Sequence, residues 1–139
     1  HEIERITQSS ITELFQSKGE IYFRKKENEI LKALLSNNEN FVLSLGGGTP
    51  CYYNNHELIA QEGVLSIYLK ASVDTLVNRL IHETEKRPLL HNQDEVALKD
   101  FISKHLFDRN FYYHQATKVI NVDNKTIEEI VKEIEVLLA

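Results

Sequence analysis

The stretch FVLSLGGGTP, residues 41–50, says most about the fold and about a binding site. Its first half is a short apolar run that three consecutive glycines end sharply. A run of this length with such a boundary is typical of a buried strand in a parallel sheet. Consecutive glycines leave backbone N–H groups open to a ligand, and open α/β sheets bind ligands at the carboxyl ends of their strands. We therefore predict a ligand site beside the glycines, although a flexible turn would have the same composition.

Two further apolar runs, at residues 64–69 and 118–122, have the same strand-like character. Helical patterns lie around them, at residues 55–60, 73–81, 95–107 and 126–138. Alternation of strands and helices predicts an α/β domain with a parallel sheet covered by helices. The polar residues 83–94 contain Pro88 and are interpreted as a loop or a flap.

The chain begins with a helical pattern rather than with a strand. Ser10 and Glu13 form the Ser-x-x-Glu pattern of a capping box, and Gly19 interrupts the apolar periodicity before a second helix at residues 20–35. Three strands are few for a parallel sheet, since most sheets have about five. We therefore expect that a central strand is missing from this sequence.

Composition limits the function classes. The chain has 139 residues, 42% of them hydrophobic and 27% charged, with a formal net charge of -5, which indicates a single globular domain. An acidic chain is a poor candidate for general nucleic-acid binding, and no apolar run approaches the ~20 residues that span a membrane. The single cysteine, Cys51, excludes an internal disulfide framework and a cysteine-built metal site, which favours a reducing cytoplasm.

The glycine stretch is not a nucleotide-binding loop of the Walker type. No glycine in the chain is followed by lysine, so the pattern G-x-x-x-x-G-K-[ST] is absent from the sequence. The six histidines show no metal-ligand spacing, and we assign them no role. Four tyrosines are interpreted as packing residues: Tyr52, Tyr53, Tyr112 and Tyr113.

Three arginines are candidates for gripping an anion: Arg24, Arg87 and Arg109. A guanidinium group binds carboxylate or phosphate through two parallel hydrogen bonds, although each of these arginines, taken alone, also fits a solvated surface position. Glu27 lies three residues after Arg24, on the same helical face. It is either one half of a surface ion pair or a carboxylate that orients Arg24.

Taken together and in order, five motifs resemble those of the shikimate kinase family. They are Ile11-Thr12-Glu13-Leu14-Phe15, Phe23-Arg24-x-x-Glu27, Leu45-Gly46-Gly47-Gly48, Arg87-Pro88-Leu89-Leu90 and Arg109-x-x-x-Tyr113. The resemblance covers nearly the whole chain. It implies a P-loop NTPase fold of the nucleoside-monophosphate-kinase type. It also implies transfer of the γ-phosphoryl group of ATP to the 3-hydroxyl of shikimate, in aromatic amino-acid biosynthesis, with ATP and Mg²⁺ as cofactors.

The resemblance also implies roles for single residues in binding shikimate. Arg24 and Arg109 would clamp the shikimate carboxylate, with Glu27 near the same pocket. The glycines would present backbone N–H groups to the ring hydroxyls, and three side chains would form apolar walls. The glycines are Gly46, Gly47 and Gly48, and the wall residues are Phe15, Phe23 and Leu89.

A second set of roles concerns ATP and magnesium. The resemblance implies that Arg87, on a lid at residues 82–94, swings over the ATP phosphates and acts in catalysis. Ser44 resembles the residue that helps to hold a magnesium-bound water. Asn124 and Lys125 correspond to the loop that contacts adenine.

The sequence departs from the family pattern in one respect. The family's first strand, its phosphate-binding loop with Gly-Lys-Ser or Gly-Lys-Thr and an Asp-x-Asp pair would all lie upstream of His1. We therefore expect residues 1–139 to form a single domain without its phosphate-loop unit, to be inactive alone, and to belong to a longer gene product. The chain is expected to be a cytoplasmic monomer. Two alternatives remain open: a kinase for another small substrate such as gluconate, and a non-catalytic shikimate-binding domain.

Overall fold

The computed structural model of the protein describes residues 1–86 and 94–139, apart from the side chains of residues 84–86. Within these ranges the chain forms two compact units, His1–Val64 and Leu65–Ala139. The helices of the first unit are α1 (Glu2–Thr7), α2 (Ile11–Leu35), a 3₁₀ turn (Thr49–Cys51) and α3 (Asn55–Leu58). The second unit contains β1 (Ile67–Lys70), α4 (Val73–Leu80), a 3₁₀ segment (Ile81–Lys86), α5 (Glu95–Tyr113), β2 (Lys118–Asn121) and α6 (Ile127–Leu138).

Helix α2 begins and bends where the sequence predicts. The Ser10 hydroxyl accepts a hydrogen bond from the Glu13 backbone N–H, and the Glu13 carboxylate accepts one from the Ser10 N–H, so the capping box is confirmed. Gly19 has φ 82° and ψ 171°, a conformation that a residue with a side chain rarely adopts. The glycine therefore divides α2 into two helical segments, and the second segment buries Phe23 and Leu31.

The prediction of a buried strand at residues 41–45 is wrong. Among the described residues no strand pairs with this run, and its side chains are exposed, with Val42 at 95%. A strand is stabilised by hydrogen bonds to a neighbouring strand, and an apolar run without such a neighbour has no ladder to join. The run still leads into the glycines, but it does so as extended backbone rather than as a strand.

The second unit contains the parallel pairing that the sequence predicts. Strands β1 and β2 pair in parallel, with Ile67 opposite Lys118 and Lys70 opposite Asn121. Both lie at sites where the apolar runs predict strands. Helices α4 and α5 pack together around Val77, Leu98 and Ile102, which are at most 5% exposed. The α/β class is thus confirmed, and helices α4 and α5 lie between the two strands in the chain, as expected for a parallel connection.

Helix α5 is longer than predicted. The sequence pattern ends it near residue 107, whereas the helix continues to Tyr113. Arg109 therefore lies inside the helix rather than after it. In the described part of the chain, no helix combines the length and the apolar character that crossing a membrane requires.

Candidate active site

Arg24 and Glu27 form a buried ion pair in the first unit. They lie one turn apart on α2, and the Arg24 Nη1 to Glu27 Oε1 distance is 3.1 Å. The side chains are only 12% and 8% exposed. Of the two interpretations of Glu27, the surface ion pair is therefore wrong, and the carboxylate is placed to orient the guanidinium. A buried pair of this kind holds its geometry because leaving either charge unpaired costs several kcal/mol.

Further groups fix the plane of the Arg24 guanidinium. The ring of Tyr52 lies against it, with the Arg24 Cζ 4.2 Å from the ring centroid, and the ring of Phe23 lies at 5.2 Å. The Tyr52 hydroxyl donates a hydrogen bond of 3.2 Å to Glu20, whose carboxylate is also 3.5 Å from the Arg24 Nε. Cation–π contacts and charge together restrict the guanidinium to one orientation. Tyr52 thus does more than fill space, which the sequence interpretation missed.

The Arg24 guanidinium also lies directly over Gly48. A Cβ atom built on Gly48 would be 2.6 Å from Arg24 Nη2 and 2.7 Å from Nη1. Gly48 has φ -84°, so the backbone itself does not require glycine here. The space that the missing side chain leaves is occupied by the guanidinium group. The sequence predicts that a ligand lies close to the glycine backbone. At Gly48, the Arg24 side chain already occupies that position.

The glycines continue into a tight turn that Thr49 closes. The Thr49 N–H donates to the Gly46 carbonyl at 3.0 Å, and the Thr49 hydroxyl donates to Glu27 Oε2 at 2.8 Å. The Thr49 carbonyl accepts a hydrogen bond of 2.8 Å from the side-chain amide of Asn55. Asn55 in turn accepts one of 2.6 Å from Asn28, the residue after Glu27. The turn is thus tied at two points to one turn of helix α2.

The structure brings six of the predicted site residues into this region of the first unit: Phe15, Phe23, Arg24, Glu27, Gly46 and Gly48. The Phe15 and Phe23 ring centroids are 4.6 Å apart, although Phe15 remains 36% exposed whereas Phe23 is buried. Gly47 lies between the other two glycines in the turn. The sequence predicts Ser44 at the end of a strand. Ser44 lies instead in the exposed extended run before the glycines.

Arg109 lies in the second unit, in the last part of α5. Its Nη1 donates a hydrogen bond of 3.3 Å to the hydroxyl of Tyr113, one turn further along the helix. The Tyr113 ring lies against Tyr68, with centroids 5.1 Å apart. Partial burial is the main cause that raises the pKa of the Tyr68 hydroxyl, and the electrostatic effect of Tyr113 adds to it. This phenol therefore stays neutral near pH 7. Arg109 thus donates a hydrogen bond to an aromatic hydroxyl of its own helix.

Asn124 and Lys125 follow β2 in a short turn. Asn124 has φ 55°, and the Lys125 Nζ is 2.6 Å from a carboxylate oxygen of Glu133 on α6. The preceding residue, Asp123, accepts a hydrogen bond of 2.9 Å from the Ser72 backbone N–H. This bond is the main cause that lowers the pKa of Asp123, and hydrogen bonds from Thr75 and Ser72 side chains add to it. The turn is therefore anchored to the start of α4.

Two predicted site residues, Arg87 and Leu89, lie outside the described residues, as does most of the predicted lid. Within the described ranges, no group of three or more His, Cys, Asp or Glu side chains is arranged to hold a metal ion. The buried Arg24 Nε donates no hydrogen bond to any described residue. The chemistry that these residues do support is binding of an anion by a fixed guanidinium beside a glycine turn, of which Gly46 and Gly47 are exposed.

The sequence interpretation missed three members of the buried hydrogen-bond network: Asn28, Thr49 and Asn55. All three are at most 7% exposed. Each is separated from its hydrogen-bond partner by 22 to 27 residues in the chain, or by six residues within a turn. No helical or strand spacing therefore predicts these contacts. The only available signal is position, since Asn28 follows Glu27 directly and Thr49 follows the last glycine.

Comparison with known proteins gives a consistent result. The family model described as shikimate kinase matches residues 1–139. The shikimate kinase of Flavobacterium johnsoniae is 54% identical over 137 residues, which cover 99% of this chain and 80% of that protein. The shikimate kinase of Flavobacterium psychrophilum is 48% identical over 136 residues, covering 98% and 79%.

Solved structures agree with these sequence matches. A crystal structure of shikimate kinase from Bacteroides thetaiotaomicron has a TM-score of 0.85 and 33% identity, covering 99% of this chain and 79% of the other. Shikimate kinase from Acinetobacter baumannii in complex with shikimate has a TM-score of 0.81 and 28% identity, covering 99% and 74%. With a family match over its whole length, this chain belongs to the shikimate kinase family.

Proposed function

We propose that this protein transfers the γ-phosphoryl group of ATP to the 3-hydroxyl of shikimate. Family membership supports this reaction over phosphorylation of gluconate and over a non-catalytic role. The observation that carries the proposal is the buried Arg24 guanidinium, which Glu27 and Tyr52 hold against the Gly48 backbone. A fixed cation beside a glycine turn suits a small, carboxylated polyol.

For substrate binding, we propose that Arg24 and Arg109 each contact the shikimate carboxylate. Glu27 neutralises Arg24 on one side only, so the guanidinium keeps hydrogen-bonding capacity for an anion. The backbone of Gly46, Gly47 and Gly48 would bind ring hydroxyls. Apolar walls would come from three side chains: Phe15, Phe23 and Leu89.

At the ATP end, we propose that Arg87 acts from a lid at residues 82–94. Positive charge around the transferring phosphoryl group stabilises the charge on its oxygens, and a closed lid excludes water. Asn124 and Lys125 would contact adenine. The Lys125 ammonium forms an ion pair with Glu133, and this pair holds the turn in place. Adenine would therefore contact the turn in the position that the ion pair fixes.

Mg²⁺ is a further proposal, with limited support from these residues. Phosphoryl transfer from ATP generally uses a magnesium ion bound to the phosphates. Ser44 would contribute only through a water, and the described side chains contain no cluster that could hold the ion. The fit is therefore poor, and the roles proposed here for Arg24, Arg109 and the glycines do not depend on the metal.

We further propose that residues 1–139 form one domain that acts as a monomer in the cytoplasm and does not phosphorylate shikimate alone. This last point rests on the absence of the G-x-x-x-x-G-K-[ST] pattern from the sequence. Without that loop, no backbone cradle or lysine of this pattern is present for the ATP phosphates. Turnover by the isolated 139-residue chain would contradict the proposal.

The function can be tested with the protein expressed from its full gene. ATP-dependent phosphorylation should be measured with shikimate, gluconate and a nucleoside monophosphate as acceptors. We expect turnover with shikimate alone. Activity on gluconate without activity on shikimate would overturn the proposed substrate. Shikimate binding without turnover, measured by calorimetry, would instead indicate the non-catalytic alternative.

A further inference from the structure

We propose that Thr49 is a positioning residue for substrate binding, which orients the Arg24 guanidinium toward the carboxylate of shikimate by holding Glu27. This inference rests on the proposed function, because it assigns a task to a residue that does not itself contact the substrate. Thr49 is 3% exposed, and its hydroxyl donates to Glu27 Oε2 at 2.8 Å.

The two oxygens of the Glu27 carboxylate have different partners. Oε1 accepts from Arg24 Nη1 at 3.1 Å, and Oε2 accepts from the Thr49 hydroxyl. A carboxylate with a donor on each oxygen cannot rotate about its terminal torsion without losing one of them. The Thr49 hydroxyl thus determines the direction in which Glu27 presents its other oxygen to the arginine.

Thr49 itself is fixed by the same turn of helix α2. Its carbonyl accepts from Asn55, and Asn55 accepts from Asn28, which directly follows Glu27. Asn55 is fully buried, and Asn28 and Thr49 are nearly so. Adjacent residues of α2 therefore hold both ends of a closed network: Glu27 binds the Thr49 hydroxyl, and Asn28 binds the Thr49 carbonyl through Asn55.

This network also determines the distance between arginine and glycines. The Thr49 N–H closes the turn onto the Gly46 carbonyl, and the Gly48 backbone lies immediately under the guanidinium. If the hydroxyl were absent, Glu27 could turn and Arg24 could leave the surface of Gly48. The guanidinium and the backbone N–H groups would then no longer be held at the positions that one ligand needs. Tight binding requires that these groups are positioned before the ligand arrives.

The test uses Thr49→Val, which removes the hydroxyl and keeps the shape, and Thr49→Ser, which keeps the hydroxyl. In the protein from the full gene, we expect Thr49→Val to raise the shikimate KM about tenfold, the size expected for one hydrogen bond to a charged group. The ATP KM should not change, and Thr49→Ser should stay within about twofold of the wild type. The exposed Thr12→Val, on the same helix as Arg24, is the matched control.

A substrate analogue without the carboxylate charge distinguishes a loss of Arg24 orientation from general damage to the binding site. We expect the carboxamide of shikimate to bind poorly to the wild type and to be almost indifferent to Thr49→Val. In the Glu27→Gln background, Thr49→Val should add little, because the hydroxyl acts through the carboxylate. An unchanged shikimate KM in a folded Thr49→Val protein would overturn the inference. Equal losses for shikimate and its carboxamide would overturn it too.

Failure of the proposed function has a different signature. If the wild-type protein does not phosphorylate shikimate, or if Arg24→Lys leaves its KM unchanged, the substrate or the pocket is wrong. If both of these behave as proposed and only Thr49→Val has no effect, the function stands and the positioning role falls. Thermal unfolding of Thr49→Val and Thr49→Ser shows that both variants fold before their KM values are compared.

Discussion

The two proposed carboxylate-binding arginines are held in different ways. Arg24 is 12% exposed, pairs with a buried carboxylate and has an aromatic ring on its face. Arg109 is half-buried, and its guanidinium donates to the hydroxyl of Tyr113 on its own helix. A cation paired with a buried carboxylate is already oriented before substrate arrives. We infer that its buried ion pair positions Arg24 in advance for an anionic ligand.

Arg24→Ala should have the largest effect, since it would damage both folding and binding. Removing the arginine leaves the Glu27 carboxylate buried without its cation, which should lower the free energy of unfolding by about 3 kcal/mol or more. Shikimate affinity should fall by a further few kcal/mol in variants that still fold. Chemical denaturation and calorimetry measure the two effects. Arg5→Ala, which removes an exposed ion pair with Glu2, is the control and should change little.

Arg109→Ala should separate binding from stability. We expect shikimate binding to weaken by about 2 kcal/mol or more, while the free energy of unfolding changes by less than about 1 kcal/mol. Lys104→Ala removes an exposed cation from the same helix and serves as the control. An unchanged shikimate KM for Arg109→Ala would show that the assignment of this arginine to the pocket is wrong.

Gly48→Ala tests whether the position of Arg24 matters apart from its charge. The new methyl group would overlap the guanidinium, which would have to shift slightly from the position in which Glu27 and Tyr52 hold it. Because φ at Gly48 is negative, the backbone tolerates alanine. We therefore expect a rise of about fivefold in the shikimate KM, equal to about 1 kcal/mol, with folding nearly intact. A Gly48→Ala protein with wild-type KM would contradict a fixed guanidinium.

Asp123→Asn should have the smallest effect, and it concerns a carboxylate that is exposed where Glu27 is buried. The pKa of Asp123 is lowered from 3.8 chiefly by the Ser72 N–H, so its charged form is favoured in the folded state. The stabilisation it gives is present above about pH 4 and is lost as the pH falls through the lowered pKa. Wild type should unfold at a higher temperature than Asp123→Asn at pH 7.

The difference between the melting temperatures of wild type and Asp123→Asn should then shrink as the pH falls below 3.8. A difference that stays constant from pH 7 to pH 2.5 would show that the charge of Asp123 is not what anchors the turn. Arg79 also acts on this carboxylate, so Arg79→Ala should reduce the difference slightly.

Local signals explain which parts of the fold could be predicted. The capping box at Ser10, the break at Gly19 and the pairing of Arg24 with Glu27 depend on residues three or four apart, and all three are found. Whether residues 41–45 form a strand could not be decided in this way, and the structure shows that they do not. An apolar run forms a strand only where another strand pairs with it, and that condition lies elsewhere in the chain.

The site was predictable to the same extent. Charged and glycine residues suggest anion binding by their type, so Arg24, Glu27 and Gly48 can be proposed as site residues from the sequence, and the structure shows that they lie together. Thr49 and Asn55 act through contacts that only the folded chain creates, because their types are as common in ordinary turns as in sites. A hydrogen-bond network between distant residues produces no periodic pattern in the sequence.

The most direct test is a crystal structure of the protein from the full gene with shikimate bound. We expect carboxylate oxygens of shikimate to lie about 3 Å from nitrogen atoms of both Arg24 and Arg109. We also expect Thr49 to remain hydrogen-bonded to Glu27. A shikimate carboxylate that contacts neither guanidinium group would show that the proposed binding site is wrong.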